Sequence, residues 1–345
     1  MGRPLTTPAS RVPALVAALV GSTLVGSLLL GGCSSGDATP SDAPATPVEP
    51  TDEDSSATVP DGVAVTGLDD GPVGLAAVGS DVWAALPDAG RVLVSGDRGV
   101  KVGSLPLRLV DTPEGVWVSA IGDGAVVRID PGSGEVDRRT TLRPAGSEPE
   151  GLAFDGDRVW VVDQAGDRVL PLDPATGKIG AAVEVGIGPR LVAAGPDGVY
   201  VSSYVAGSVT RVADGEATTV DVAGCTSPQG LAEAAGVVWV ACTTDGRVVG
   251  LDARTLTPVA DLPDLATADA VVADGDTVHV VGQQGPTVWT IDARTREVTG
   301  ELVLDAQPRT TENVDAVLQD GHLWVSHPEG RRLYDVPPAL LAAGR

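Results

Sequence analysis

Charged and polar residues recur at one position of the chain's repeating pattern, at intervals of about 40 residues. They are Glu150, Arg190, Gln229, Asp269 and Asp315. If the fold brings them together, three carboxylates face one guanidinium and one amide. Such a set can pair with a charged ligand, and its carboxylate oxygens suit calcium or magnesium. The alternative is that these side chains pair with one another, cap strands or line a water-filled funnel.

An apolar strand core recurs in the same register, usually with an aromatic residue at its centre. The seven central residues are Trp83, Trp117, Trp160, Tyr200, Trp239, His279 and Trp324. Gly, Pro and Asp turns divide each unit into four short strands with period-two alternation. A fixed period of this length indicates a repeat architecture, and four-stranded units are typical of propeller blades. The sequence therefore predicts an all-β, seven-bladed β-propeller of four-stranded blades over residues 61–336.

The two ends of the repeat region predict how the ring closes. The last unit supplies three strands before Pro337 and Pro338, which cannot continue a strand ladder. We expect residues 62–68 to supply the missing fourth strand, because they precede the first Gly-Pro turn as fourth strands do elsewhere. Closure of this kind removes exposed sheet edges, and it leaves residues 337–345 as a C-terminal tail.

In a propeller, the connections into the innermost strands surround one end of the central channel. We call this end the mouth and its side of the ring the upper face. The position after Pro in five units, and its equivalent in the last two, lies in these connections, and it is occupied by Val73, Leu107, Glu150, Arg190, Gln229, Asp269 and Asp315. Because five consecutive units are charged or polar there, we expect a ligand-binding site at the mouth. Turns between second and third strands add a second ring that includes Asp163, Gln164, Tyr204, Gln283 and His327.

Of the three histidines, only His327 is expected to face the mouth. His279 takes the place of the central Trp in its unit, which predicts a buried side chain. His322 falls in a turn on the lower face. No local pattern assembles a nucleophile, a base and an orienting acid, so the histidines do not by themselves indicate an enzyme.

Two of the three cysteines are expected to form a disulfide. Cys225 lies in the connection into the fifth unit, and Cys242 ends the second strand of that unit. Both places are on the upper face of a propeller, so the thiols can be neighbours, and an oxidising compartment favours the bond. The alternative is two free thiols or a metal pair, although no third Cys or nearby His completes a zinc site.

The N-terminus predicts export and lipidation. Arg3 and Arg11 precede an apolar stretch over residues 12–30, which is typical of a secretory signal. The stretch ends in Leu-Gly-Gly-Cys at residues 30–33, which resembles the bacterial lipobox. That resemblance implies cleavage before Cys33 and a diacylglyceryl thioether on its thiol, with fatty acids such as palmitate. Two acyl chains would anchor the protein stably where one would not. An ordinary signal peptide or a retained membrane helix is the alternative.

Residues 1–32 are thus predicted to be a signal peptide, and residues 33–60 the lipidated Cys and a linker. The linker is rich in Ser, Thr, Pro and acidic residues and cannot bury enough apolar surface to fold. We therefore expect an extracytoplasmic domain, lipid-anchored to the cell membrane and held away from it. The formal net charge of −24 repels nucleic acid, which excludes that class of partner. A monomer is expected.

The run over residues 148–185 has a Pro-x-Gly-Leu-Ala opening, an Asp-Gly turn, a Val-Trp-Val-Val strand and a Leu-Asp-Pro-Ala-Thr-Gly-Lys-Ile ending. It resembles repeats of the YVTN and streptogramin-lyase-like (virginiamycin B lyase-like) propeller superfamily, and weaker runs of this kind cover residues 62–336. In the lyase branch, the resemblance implies a magnesium-dependent site with catalytic His and Glu in a Glu-x-His element. No Glu of this chain is followed two positions later by His, so lyase activity is not implied.

The sequence favours a non-enzymatic binding or scaffold module for an envelope protein, peptide or glycan, with no cofactor. The alternative is a lactonase- or lyase-like enzyme that uses calcium or magnesium at the mouth. In that enzyme Glu150, Asp269 and Asp315 would hold the metal ion, and His327 or Asp163 would act as the base.

Overall fold

The computed structural model describes residues 59–96, 98–305 and 313–342. In these ranges the chain forms seven four-stranded antiparallel sheets, so the predicted seven-bladed β-propeller is confirmed. The strand that comes first in the chain, β1 (Ala64–Gly67), belongs to the seventh blade. The first blade contains β2 (Leu75–Val78), β3 (Asp81–Leu86), β4 (Arg91–Ser95) and β5 (Arg98–Lys101). The second contains β6 (Pro106–Thr112), β7 (Gly115–Ala120), β8 (Ala125–Asp130) and β9 (Glu135–Thr141).

The remaining blades follow the same plan. The third contains β10 (Pro149–Phe154), β11 (Val159–Asp163), β12 (Arg168–Leu172) and β13 (Val183–Glu184). The fourth contains β14 (Pro189–Gly195), β15 (Gly198–Ser203), β16 (Ser208–Ala213) and β17 (Glu216–Asp221). The fifth contains β18 (Pro228–Ala234), β19 (Val237–Cys242), β20 (Arg247–Asp252) and β21 (Pro258–Leu262). The sixth contains β22 (Ala268–Asp274), β23 (Thr277–Gly282), β24 (Thr287–Asp292) and β25 (Glu297–Val303). The seventh contains β26 (Ala316–Gln319), β27 (His322–His327) and β28 (Arg332–Val336), with β1 as its outer strand.

The ring closes as the sequence predicted. Strand β1 pairs antiparallel with β28, so that Val65 lies opposite Tyr334. The C-terminal segment adds a contact that the sequence did not predict, because a short helix, α1 (Pro338–Ala342), buries Leu341 against the sixth and seventh blades. No helix in the described ranges is long and apolar enough to cross a membrane.

Apolar side chains fill the spaces between neighbouring blades. Each of the seven blade-to-blade contacts has its own buried cluster, including the one that joins the seventh blade to the first. Because a blade packs against neighbours on both of its faces, its middle strands are buried throughout, as in β7 and β19. Trp117, Trp239 and Tyr200 are fully buried, and His279 is 3% exposed, as expected from its place in the repeat.

A β-bulge aims the residue at this position of the repeat in five of the blades. In the third blade, Pro149 pairs with Asp163 and Leu152 pairs with Val161, so one extra residue lies between the two pairs. The inner strands of the second, fourth, fifth and sixth blades have equivalent shifts. A bulge bends its strand and redirects the side chain at that point, which explains how this position points toward the channel.

Glycine follows this position in several blades and lets the inner strands approach one another. A Cβ atom added to Gly151 would lie 2.6 Å from the carbonyl oxygen of Arg190 in the next blade. No other residue fits against that backbone, so the glycine sets the close spacing of the inner strands around the mouth.

Candidate functional site at the mouth of the channel

Side chains from distant blades converge at the mouth. The carboxyl of Asp269, in the sixth blade, is influenced by the charges of Arg108 in the second blade, Arg190 in the fourth and Asp315 in the seventh. Direct contacts also cross the ring: Arg190 Nη2 donates to Asn313 Oδ1 at 2.7 Å, and Arg108 Nη1 lies 3.3 Å from Asp315 Oδ2. Arg190 and Asp315, two of the residues predicted from the repeat register, therefore take part in contacts between different blades.

Glu150 and Arg190 form a buried ion pair that extends across the mouth. Arg190 donates to Glu150 through Nη2 at 2.8 Å and through Nε at 3.1 Å, and the Glu150 side chain is only 3% exposed. Arg190 Nη2 also donates to Asn313 Oδ1, at 2.7 Å, at the start of the seventh blade. Its guanidinium lies 5.6 Å from the ring of Tyr204, close enough for a cation–π contact. Burial tends to lower the pKa of Arg190, but Glu150 more than offsets it and the pKa is raised.

A second ion pair joins Arg108 to Asp315. Arg108 Nη1 lies 3.3 Å from Asp315 Oδ2, and Arg108 is 7% exposed. Asp315 Oδ2 also accepts a hydrogen bond from the backbone N–H of Leu75, and its Oδ1 accepts one from Ala316, both at 2.9 Å. This carboxylate is thus held by the first, second and seventh blades together.

Asp269 differs from the other two carboxylates of the set. It is 1% exposed, and its Oδ2 has no hydrogen-bond partner in the described part of the chain. Burial raises its pKa to about 6, although Arg108, the amide of Gln283 and Arg190 all favour the ionised form. Ionising this carboxyl therefore costs more free energy in the folded protein than in the unfolded chain.

We predict that Asp269→Asn stabilises the protein above pH 6. The carboxyl's pKa is 3.8 in the unfolded chain and about 6 in the folded one, so the folded protein binds more protons between these values. Its cost to stability is complete above pH 6 and disappears as the pH falls toward 3.8. The variant should gain on the order of 2 kcal/mol of unfolding free energy at pH 7.5 and lose this advantage near pH 4.

Urea denaturation of both proteins at pH 7.5, 6, 5 and 4 measures this difference. Asp274→Asn is the matched control, because Asp274 is exposed at the far end of the same strand. A gain that did not change with pH would show that the Asp269 carboxyl does not titrate in this range.

The other predicted mouth residues are placed as follows. Gln229 is 4% exposed in the inner strand of the fifth blade, and Val73, just before the inner strand of the first blade, is 6% exposed. Leu107 is half-buried, and its neighbour Arg108 supplies the charged group in the second blade.

The disulfide between Cys225 and Cys242 is confirmed, with Cα atoms 5.1 Å apart. The bond joins two segments of the fifth blade. One is the connection that precedes Gln229, and the other is the end of the neighbouring strand β19.

Two residues of the site, Arg108 and Asn313, were not predicted from the sequence. Arg108 had a signal, because it occupies the place that Gly74, Gly151 and Gly230 hold in other units. A charged residue in a position that otherwise holds small or aliphatic residues is a departure from the repeat. Asn313 had none, because its contact with Arg190 depends on side-chain reach across the ring.

The two bases considered for an enzyme are both engaged. Asp163 is fully buried, accepts from Arg168 Nη2 at 2.7 Å and accepts from the backbone N–H of Glu148 at 2.9 Å. His327 is 1% exposed, and its Nδ1 accepts a hydrogen bond from the backbone N–H of Gly330 at 2.9 Å. In the described ranges, no three His, Cys, Asp or Glu side chains are grouped so that they could hold one metal ion. Glu150, Asp269 and Asp315 are therefore not gathered around a common point.

A cleft of about 1440 Å³ lies on the lower face, between the third and fourth blades. Its apolar lining includes Trp160 and Pro196, and Asp197 and Arg254 form an ion pair at its edge, at 2.8 Å. The cleft forms where β13, with only two residues, leaves the third blade short on its outer side. The sequence analysis did not predict this cleft, and it contains none of the mouth residues.

No protein-family model matches the sequence, and no curated protein matches it. Solved structures match its fold. Virginiamycin B lyase from Staphylococcus aureus, a catalytically inactive variant with quinupristin, has a TM-score of 0.68 and 15% identity, covering 79% of this chain and 98% of that one. A streptogramin B lyase structure has a TM-score of 0.66 and 16% identity, covering 79% and 96%. The computationally designed Ika8 protein has a TM-score of 0.57 and 15% identity, covering 78% and 97%.

These identities are too low to carry more than the fold. The chain is a seven-bladed β-propeller similar in fold to streptogramin B lyase, as the resemblance of its repeats indicated. The predicted signal peptide, lipidation site and nearly all of the linker lie in residues 1–58, outside the described residues.

Proposed function

We propose that this protein is a membrane-anchored, extracytoplasmic binding module that holds a protein, peptide or glycan of the cell envelope at the mouth of its propeller. The observation that carries the proposal is the network of Glu150, Arg190, Asn313, Arg108 and Asp315. Its two ion pairs place polar groups of both signs at the mouth. It also holds two of the three candidate metal ligands in ion pairs with arginine, which suits recognition better than turnover.

Photo-crosslinking in intact cells tests the proposal. Tyr204→p-benzoylphenylalanine places the probe beside Arg190 and keeps an aromatic ring there. Pro196→p-benzoylphenylalanine is the matched control, because Pro196 is exposed in the lower-face cleft. We expect a discrete adduct from position 204 and none from position 196. No adduct from position 204, or the same adducts from both positions, would contradict binding at the mouth.

The anchor is a separate part of the proposal, supported by the lipobox-like sequence before Cys33. Cys33→Ala should move the protein from the membrane fraction to the soluble fraction or leave it as an unprocessed precursor. It should also abolish labelling by an alkyne analogue of palmitate, because alanine has no thiol to which the lipid could be attached. Membrane association and labelling equal to the wild type would contradict lipidation at Cys33.

A metal-dependent lactonase- or lyase-like enzyme remains the second candidate. Two observations favour it: the fold similarity to streptogramin B lyase, and the unpartnered Oδ2 of Asp269, whose pKa of about 6 suits a base. Calcium or magnesium at 100 times its dissociation constant would then add about 2.7 kcal/mol to the unfolding free energy. A melting curve that is indifferent to both ions and to EDTA would exclude this candidate.

A further inference from the structure

Two aliphatic side chains are exposed on two hydrogen-bonded segments of the upper face. Ile187, in the connection into the fourth blade, is 62% exposed, and Val205, in the turn between β15 and β16, is 69% exposed. The backbone N–H of Ala206 donates to the carbonyl of Ile187 at 3.0 Å, and that of Tyr204 donates to the carbonyl of Gly188 at 2.9 Å. A Cβ atom added to Gly188 would collide with Val205 Cγ2, so the Val205 side chain lies directly over this connection. We call Ile187 and Val205 the aliphatic pair.

The aliphatic pair differs from the other exposed hydrophobic residues. Isoleucine and valine are usually buried, and exposed ones that lie singly need no explanation. In the described ranges, five other large hydrophobic residues are between 38% and 45% exposed, and four of them lie on outer strands: Val65, Val136, Val298 and Val303, with Leu105 the fifth. The aliphatic pair is more exposed than any of these, and two separate segments contribute to it. Covering it with apolar groups of another molecule would therefore be favourable.

The aliphatic pair is continuous with the mouth. Tyr204 precedes Val205 and is half-buried, and the guanidinium of Arg190 lies 5.6 Å from its ring. Arg190 is also the residue that bonds to Glu150 and Asn313, and 21% of its side chain is open to solvent. Tyrosine and arginine are enriched in protein–protein interfaces and among the residues that contribute most to their affinity. The surface thus combines an apolar centre with the residue types that such interfaces favour.

The chemistry of the aliphatic pair favours a polypeptide over a glycan. An aliphatic side chain of a partner can be buried on it without loss of a hydrogen bond. Saccharide hydroxyls placed there would lose their water and find only methyl groups, which is unfavourable.

The charge of the upper face favours a basic polypeptide. The loops of this face are the connections into the inner strands and the turns between second and third strands. In the described parts of these loops, and apart from Asp123, which pairs with Arg139, six exposed carboxyl groups outnumber two exposed guanidinium groups. The acids are Asp69, Asp88, Glu148, Asp245, Asp264 and Glu329, and the bases are Arg143 and Arg331. Such a surface attracts a cationic partner and repels an acidic one.

We infer that the aliphatic pair and Tyr204 dock a basic segment of an envelope protein, one aliphatic side chain of which packs on Ile187 and Val205 beside the mouth. The inference rests on the proposed function, because it selects one of the three proposed ligand classes and extends the binding surface from the mouth to the neighbouring loops.

Selection of peptides by the full chain in detergent tests the inference. A phage-displayed library of random peptides is exposed to the wild-type protein, and the bound peptides are sequenced. We expect the enriched peptides to carry an aliphatic residue flanked by Lys or Arg, and to bind more weakly as the salt concentration is raised. Ile187→Ser combined with Val205→Ser should weaken the binding of an enriched peptide about tenfold or more, because the apolar contact is lost.

Val136→Ser is the matched control, because Val136 is an exposed aliphatic residue on the outer strand β9, and it should leave the affinity unchanged. All three substituted residues are at least 38% exposed, so we expect both variants to fold. The inference is overturned if no peptide is enriched, if the enriched peptides are acidic or lack an aliphatic residue, or if the double Ser variant binds them as tightly as the wild type. In any of these cases a discrete adduct from position 204 in cells would leave the binding module intact with another ligand. No adduct at that position would remove both.

Discussion

Arg190→Ala is expected to lower the free energy of unfolding by about 3 kcal/mol. The substitution leaves the Glu150 carboxylate, which is only 3% exposed, without the two hydrogen bonds that Arg190 donates. It also removes the bond to Asn313, which joins opposite sides of the ring. The value is at the low end for a broken buried pair because 21% of the Arg190 side chain is open to solvent. Urea denaturation at pH 7.5 measures the loss.

Two further variants distinguish the effect of breaking the Glu150–Arg190 ion pair from the effect of losing an arginine side chain. Glu150→Leu combined with Arg190→Leu should recover most of the loss, since no buried charge is left without a partner. Arg254→Ala is the control for an exposed pair, because its side chain is 76% exposed, and we expect less than about 1 kcal/mol there. An Arg190→Ala protein no less stable than Arg254→Ala would contradict a structural role for the pair.

The second large effect is expected from the disulfide. Replacing Cys225 and Cys242 together with Ala should cost about 3 kcal/mol, because the bond closes a loop with a sequence separation of 17. Both residues are buried, so the bond should resist reduction in the folded protein. The measurement is again the unfolding free energy in urea.

Cys33→Ala serves as the control, since Cys33 precedes the propeller, and it should leave that free energy unchanged. Wild-type protein reduced after unfolding should refold to the stability of the double Ala variant. Equal stability of the oxidised wild type and the double variant would show that the bond contributes little.

The sequence predicts the features that depend on local pattern. Strand cores recur with Trp117, Trp160 and Trp239 at fixed places, and Gly, Pro and Asp mark the turns between them. A blade is a local unit, and its turns set the register of its strands. The number of blades and the closing strand can therefore be predicted from the sequence. The disulfide followed as well, because the repeat register places Cys225 and Cys242 on one face.

The site was predicted less completely, for reasons of side-chain geometry. The register identified Glu150, Arg190 and Asp315 as mouth residues, but their partners depend on reach across the channel. Arg190 contacts Asn313 over 123 positions, and no periodic pattern carries that information. In the second blade the charged side chain is Arg108, one position later than the register indicates, because a bulge allows either residue to face the channel.

We propose that the ligand binds at the mouth and not in the cleft on the lower face. Hydrogen–deuterium exchange of the full chain in detergent, with and without a solubilised extract of its own cell envelope, tests this most directly. We expect slower exchange in residues 148–152 and 202–206, which carry Glu150 and Tyr204, and no change in residues 155–158 and 195–198, which line the cleft. Protection of the cleft segments with an unchanged mouth would contradict it.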